Sequence, residues 1–158
     1  MADSFEAYSR QLTLCMMTYQ FIEFGLRFSL HRCHAVTKFR LEGYLPYSYR
    51  FEAIEEAALG RLVEWFKAYT TNTSLIEDLR KIKKKRDEVA HQGYVFTIEE
   101  QRDDALLKAK TEELVGAHAQ AKECYERLQE EMHRVDEVVN RAYADLKKAR
   151  SAGEGVAP

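Results

Sequence analysis

The sequence predicts an all-α fold, a four-helix up-and-down bundle with a long C-terminal helix, and three observations lead there. Pro46 is the only proline before the last residue, so helices can run nearly throughout. Apolar side chains recur at spacings of three and four along most of the chain. No stretch alternates apolar and polar residues for long enough to build a sheet.

The first helix starts near Ser4, which can serve as its N-cap. Phe5, Tyr8, Leu12, Cys15, Tyr19, Ile22 and Leu26 then form one sustained apolar stripe. Met16, Met17, Phe21, Phe24, Phe28 and Leu30 widen it, so this helix is expected to be covered on more than one side. Residues 38–50 hold Gly43, Pro46, Tyr44, Tyr47 and Tyr49 and read as a connection. A second helix is predicted over 51–69, with Ile54, Ala58, Leu62, Trp65 and Tyr69 on one face. The polar turn around Thr70–Ser74 leads into a third helix over 74–92, which Gly93 should end as a left-handed residue. After an apolar connector (Tyr94, Val95, Phe96), Thr97 and Glu100 have capping-box spacing.

The fourth helix is predicted over 98–148, about 75 Å at 1.5 Å per residue. Leu107, Leu114, Ala121, Leu128, Val135 and Ala142 recur every seven residues. Thr111, His118, Tyr125, Met132, Val139 and Leu146 interleave with them as a heptad seam. A compact bundle cannot cover that length, so the helix should bend at Gly116 or overhang and pair with a partner. Residues 1–150 read as one helical domain and 151–158 as a disordered tail.

Composition narrows the function. The chain has 158 residues, 46% hydrophobic and 32% charged, with formal net charge -2. Such a chain can bury a core without staples and is no general nucleic-acid coat, so any RNA contact must be local. The longest uncharged stretch, residues 11–22, falls short of the ~20 a membrane span needs, so no membrane is expected. Acids near the N-terminus argue against an export signal. Cys15, Cys33 and Cys124 are odd in number and widely spaced, which suits a reducing cytoplasm rather than a zinc ribbon. Neither metal nor cofactor is expected. His31, Cys33 and His34 do not converge as ligands and read as an ordinary helix end.

The third helix carries the candidate chemistry. Its apolar stripe (Leu75, Leu79, Ile82, Val89, Ala90) meets a guanidinium, Arg86, where an apolar side chain is due. An inward charge is costly unless paired or set in a wet cleft, which makes Arg86 a candidate site residue. Asp87 and His91 are four apart, so the carboxylate can orient the imidazole. Arg86, Asp87 and His91 could then form a metal-free acid/base and phosphate-clamping group. A histidine at a helix end with an i,i+4 acid is also an ordinary surface pair. Six of the seven residues from Arg80 to Arg86 are cationic, and Lys83, Lys84 and Lys85 with Tyr94 are the candidate RNA contacts. The flanking acids Glu77, Asp78, Asp87 and Glu88 suit a solvated face equally well. From residue 96 onward acids outnumber bases, so RNA should meet the third helix's side. Tyr44, Tyr47 and Tyr49 could stack bases or cover the open end of the bundle.

The string Arg86-Asp87-Glu88-Val89-Ala90-His91, with Gly93 and Tyr94 after it, resembles the R-x4-6-H motif of the HEPN superfamily. Residues 58–66 are similar to the amphipathic helix that precedes that motif in several HEPN-like bacterial proteins. The motif covers six residues; the four-helix pattern covers nearly the whole chain. The resemblance implies a homodimer with Arg and His from both chains lining one cleft. It implies a metal-independent endoribonuclease of a toxin–antitoxin, phage-defence or RNA-processing system, with RNA as substrate and an antitoxin or nucleotidyltransferase as partner. His91 would be the general acid/base, Arg86 the phosphate clamp, and Asp87 the orienting polar group, where the family mostly has asparagine. Tyr94 stands one residue beyond the tyrosine that one toxin subgroup carries. The alternative is a catalytically inactive HEPN-like interaction module that binds a protein partner or a nucleotide.

Overall fold

The computed structural model describes residues 2–42, 44–93 and 96–153; most of these are helical and none is in a strand. Five α-helices follow one another: α1 (Ala2–Leu41), α2 (Phe51–Glu55), α3 (Leu59–Phe66), α4 (Thr73–Gln92) and α5 (Asp104–Gly153). The fold is therefore all-α with a long C-terminal helix.

The spine is the pair α1 and α5. On α1 the buried apolar side chains are Tyr8, Leu12, Cys15, Tyr19, Ile22, Leu26, Leu30 and Cys33: the predicted stripe without Phe5, which is 36% exposed, extended by two steps. On α5, Leu107, Leu114, Ala121, Leu128 and Val135 are buried against it. From Ala117 to Glu131 the interleaving positions are one residue earlier than the expected seam: Ala117, Cys124 and Glu131 are buried and His118, Tyr125 and Met132 half-buried, whereas at Val139 the expected position is the buried one. The two helices run in the same direction, because Gln11 meets His118, Phe21 meets Tyr125, Arg32 meets Asp136 and Phe39 meets Tyr143. At Gly25 they approach so closely that a Cβ would lie 2.9 Å from Met132 Sδ and 3.7 Å from Leu128 Cδ2. Each fully buried leucine of this seam contributes roughly 1.5–3 kcal/mol over its exposed state.

The parallel pairing follows from a reversal that the sequence does not announce. The predicted second helix breaks after Glu55. Ala58 is extended, with φ -67° and ψ 154°, and α3 starts anew. Neither glycine nor proline is present at the break. Tertiary contacts fix it instead: Arg27 Nη2 donates to the Ala57 carbonyl at 3.0 Å, and Ile54, Ala57 and Leu59 are all buried. Phe51 and Glu55 lie beside His31, so α2 descends along α1. Then α3 turns back, α4 descends with Gly93 beside Tyr8, and α5 ascends. The helices thus alternate direction in chain order, and the extra pass makes the last parallel to the first.

Several local expectations are corrected. Gly93 is right-handed (φ -67°, ψ -23°), not left-handed. A close approach explains the glycine there, since a Cβ would lie 2.7 Å from Leu12 Cδ1. Thr97 and Glu100 do form the reciprocal box, at 2.8 and 3.2 Å, but they cap a 3-10 turn (Glu100–Arg102). α5 starts only at Asp104, where the Asp103 carboxylate accepts from the Ala105 and Leu106 amides. The 40-residue α1 lies along most of the 50-residue α5 and buries the seam from Leu107 to Val139 within one chain. α5 runs through Gly116 as one helix and includes Ser151–Gly153 of the expected tail, whose remainder lies outside the described residues. The motif His31-Arg32-Cys33-His34 lies within α1, not at its end.

Among the described residues Glu131 is the one buried acid of the spine, 7% exposed. It accepts from the Thr70 hydroxyl and, bidentately, from Arg134. Arg134 first, then Thr70, holds its carboxyl below the ordinary glutamate value. A depressed native pKa binds fewer protons than the unfolded chain. The stability from Glu131 is therefore full above the ordinary glutamate pKa and is lost as pH falls through the lower native value. Thermal melts from pH 6 down to pH 3 should fall less steeply for Glu131→Gln than for the parent. Equal slopes would refute this coupling.

Candidate functional site

α4 is capped at its start by Asn72, whose side chain accepts from the Leu75 amide at 3.1 Å. Leu75, Leu79, Ile82 and Val89 face the core, which fixes the helix rotation and with it the place of every candidate residue. Arg86 does point inward along this stripe. Its guanidinium lies 3.3 Å from Glu23 Oε1 on α1 and 3.2 Å from Asp87 Oδ1. Glu23, 14% exposed, also takes Arg27 at 3.4 Å, so one nearly buried carboxylate draws two guanidinium groups.

Asp87 does not orient His91. Its other oxygen receives Lys83 Nζ at 2.8 Å, and Lys83 first, then Arg86, lowers its pKa. His91 is exposed, on the side of α4 away from Arg86, with no hydrogen bond or ion pair among the described residues. Five residues along a helix is about 140° of rotation, and the chain keeps the two groups on different sides. One chain therefore brings Arg86 and Asp87 together and leaves His91 apart.

The cationic run is largely neutralised in place. Arg80 pairs with Glu64 on α3, Lys81 with Asp78, Lys83 with Asp87 and Lys85 with Glu88. Lys84 is exposed with no ion pair among the described residues. Such exposed pairs add only a few tenths of a kcal/mol each, but they lower the net field a phosphate backbone would meet. Tyr94 lies outside the described residues.

Next to this part of α4 is a cavity of about 90 Å³ bounded by Tyr8, Lys85, Glu88, Lys110 and Glu113. That is below the ~300 Å³ at which small-molecule sites start, whereas a second hollow between α4 and α5, about 300 Å³ and bounded by Asp78, Lys81, Ile82, Glu123 and Arg127, reaches it. The histidines of α1 are engaged elsewhere: His31 Nε2 with Glu55 at 2.6 Å, and His34 Nδ1 with the Tyr47 hydroxyl at 2.6 Å. His34 also stacks on Tyr49 at 4.7 Å, and burial lowers its pKa. Tyr47 and Tyr49 thus cover this end of α1, whereas Tyr44 is 85% exposed. The three thiols are free and buried. Burial pushes Cys33 up to about 11 and Cys124 up to about 12, which keeps them unreactive. Among the described residues no three His, Cys, Asp or Glu side chains lie close enough to hold a metal ion. No described helix is long and apolar enough to cross a membrane.

Neither family models, nor curated proteins, nor solved structures offer a match to this chain. Its own surface must carry the functional argument.

The largest anomaly on that surface is on α1. Leu14, Met17, Phe21, Phe24 and Phe28 follow one another at steps of three, four, three and four, and are 40%, 45%, 49%, 67% and 44% exposed. They form a second heptad stripe opposite the buried one. The sequence shows these residues, but only the structure shows how much of them stays in water: Phe21 stacks on Tyr125 and Arg32 lies over Phe28, yet all five remain at least 40% exposed. Taking ~200 Å² for a large side chain, the five expose about 490 Å², in the range where a patch on a monomer is often functional.

Proposed function

We propose that this chain is a helical interaction module, which acts by presenting the outer face of α1 to a protein partner rather than by turning over a substrate. The exposed stripe from Leu14 to Phe28 carries this conclusion. Leaving five large apolar side chains in water is costly, and an interface is what recovers that cost. The state of α4 supports the same conclusion. Arg86 is already matched by Glu23 and Asp87, and the flanking lysines are mostly paired. A reducing cytoplasm suits the three buried free thiols.

A metal-independent endoribonuclease of the HEPN type, with toxin–antitoxin or phage-defence use, is the second reading. Two observations favour it: His91 is exposed and unengaged, and the Arg86 guanidinium is held in a fixed position while 36% exposed. Within one chain these groups do not converge, so such a site would have to be completed by a second copy, with RNA bridging the two.

Incubation of the purified chain with single-stranded RNA in EDTA separates the two. Intact RNA is the expected result. Cleavage that leaves 2′,3′-cyclic phosphate ends, and that falls on the order of a hundredfold in both His91→Ala and Arg86→Ala, would overturn the module in favour of the ribonuclease.

A further inference from the structure

We infer that the partner received by the outer face of α1 is a second copy of this chain, packed antiparallel across a two-fold axis near Phe21. This rests on the interaction-module reading and names its partner.

The geometry of the stripe supports self-pairing. An evenly spaced row of apolar side chains is its own complement when one helix is reversed. The Leu14 end of one copy then lies on the Phe28 end of the other, with Phe21 near the centre. A two-fold contact needs such a self-complementary patch. Between Leu14 and Phe28 the stripe itself carries no charge, so it meets its copy without like-charge contact. The formal net charge of -2 leaves little long-range repulsion between copies. α1 is one continuous helix of 40 residues, about 60 Å long, so no loop interrupts the face.

Two stripes pressed together remove about 980 Å² from water through these five positions alone, most of the ~1,200 Å² at which specific interfaces begin, and the flanking residues supply the rest. Thr13 and Gln20, exposed beside the stripe, supply flanking contact.

This dimer differs from the shared Arg–His cleft. Glu23, which holds Arg86, is two residues from Phe21 and so about 200° away around the helix. Pairing through the stripe keeps the two copies of Arg86 and His91 apart.

Light scattering on the full chain at tens of micromolar should give twice the 18.4 kDa chain mass. Phe21→Asp with Phe24→Asp should weaken association at least a hundredfold while the helical circular dichroism stays unchanged. Val115→Asp with Val138→Asp, which alter exposed apolar side chains of α5, should leave the dimer intact. In case the stripe variant unfolds, a spin label at Gln20→Cys gives a second reading. Because the native thiols are buried, it should report one short inter-copy distance, and labels at Arg10→Cys a longer one. A monomeric parent, or a dimer indifferent to the stripe substitutions, overturns the inference. The RNA assay above decides the module reading separately, whatever the mass measurement gives.

Discussion

Replacing Leu128 with alanine is expected to cost about 2–5 kcal/mol and to lower Tm by roughly 5–20 °C. Leu128 is fully buried in the α1–α5 seam, at the level where Gly25 brings the two backbones together. Gly25 has no side chain that could move into the space left behind. Two long continuous helices also cannot collapse locally, so most of the cavity should persist. Val138→Ala on the same helix is the control: Val138 is 56% exposed, and its loss should stay within ~0.5 kcal/mol. Urea and thermal unfolding at one fixed concentration measure both, since association would make Tm concentration-dependent. A Leu128→Ala loss below about 1 kcal/mol would mean that α1 does not cover the α5 seam.

Gly93 gives the second large effect, and it separates two reasons for a glycine. At a left-handed helix end asparagine is tolerated better than alanine. Here the backbone is right-handed, and a Cβ would lie 2.5 Å from the Val89 carbonyl oxygen and 2.7 Å from Leu12 Cδ1. Gly93→Ala should therefore cost about 1–3 kcal/mol through crowding, and Gly93→Asn more, because it is larger. The hydrogen bond from the Tyr8 hydroxyl to the Gly93 carbonyl, 2.7 Å, should lengthen as the end of α4 is pushed off α1. Asparagine proving milder than alanine in chemical denaturation would show that conformation, not contact, selects the glycine.

The helices with strict spacing were legible in the sequence because burial writes its period directly into residue type. Tyr8 to Leu26 on α1 and Leu107 to Val135 on α5 are the clear cases. The reversal between α2 and α3 was not legible. Glu56, Ala57 and Ala58 are good helix formers, and only Arg27, Ile54 and Leu59 in the folded chain make the break favourable. Missing that single turn reverses the direction of everything after it. At the candidate site, Arg86 stood out as a charge on an apolar stripe. What it answers to, Glu23 on another helix, has no local signature. The expected Asp87–His91 pair failed because Lys83, one turn earlier on α4, competes for the same carboxylate. Glu131 was passed over, although its seven-residue spacing from Cys124 and Arg134 three residues on were readable.

The parallel spine has a consequence for how the chain reaches its fold. Gln11 and His118, which touch across it, are 107 residues apart, and Arg32 and Asn140 are 108 apart. Such a high contact order makes the last assembly step slow, because a long loop must close before the seam repays it. During synthesis at ~5–20 residues per second, α1 waits roughly 5–20 s for the part of α5 that covers it. For that interval the nascent helix is apolar on both its faces. The segment from Tyr8 to Cys33 is therefore the part of the polypeptide most exposed to premature clumping on the ribosome, and the one a holding chaperone would grip.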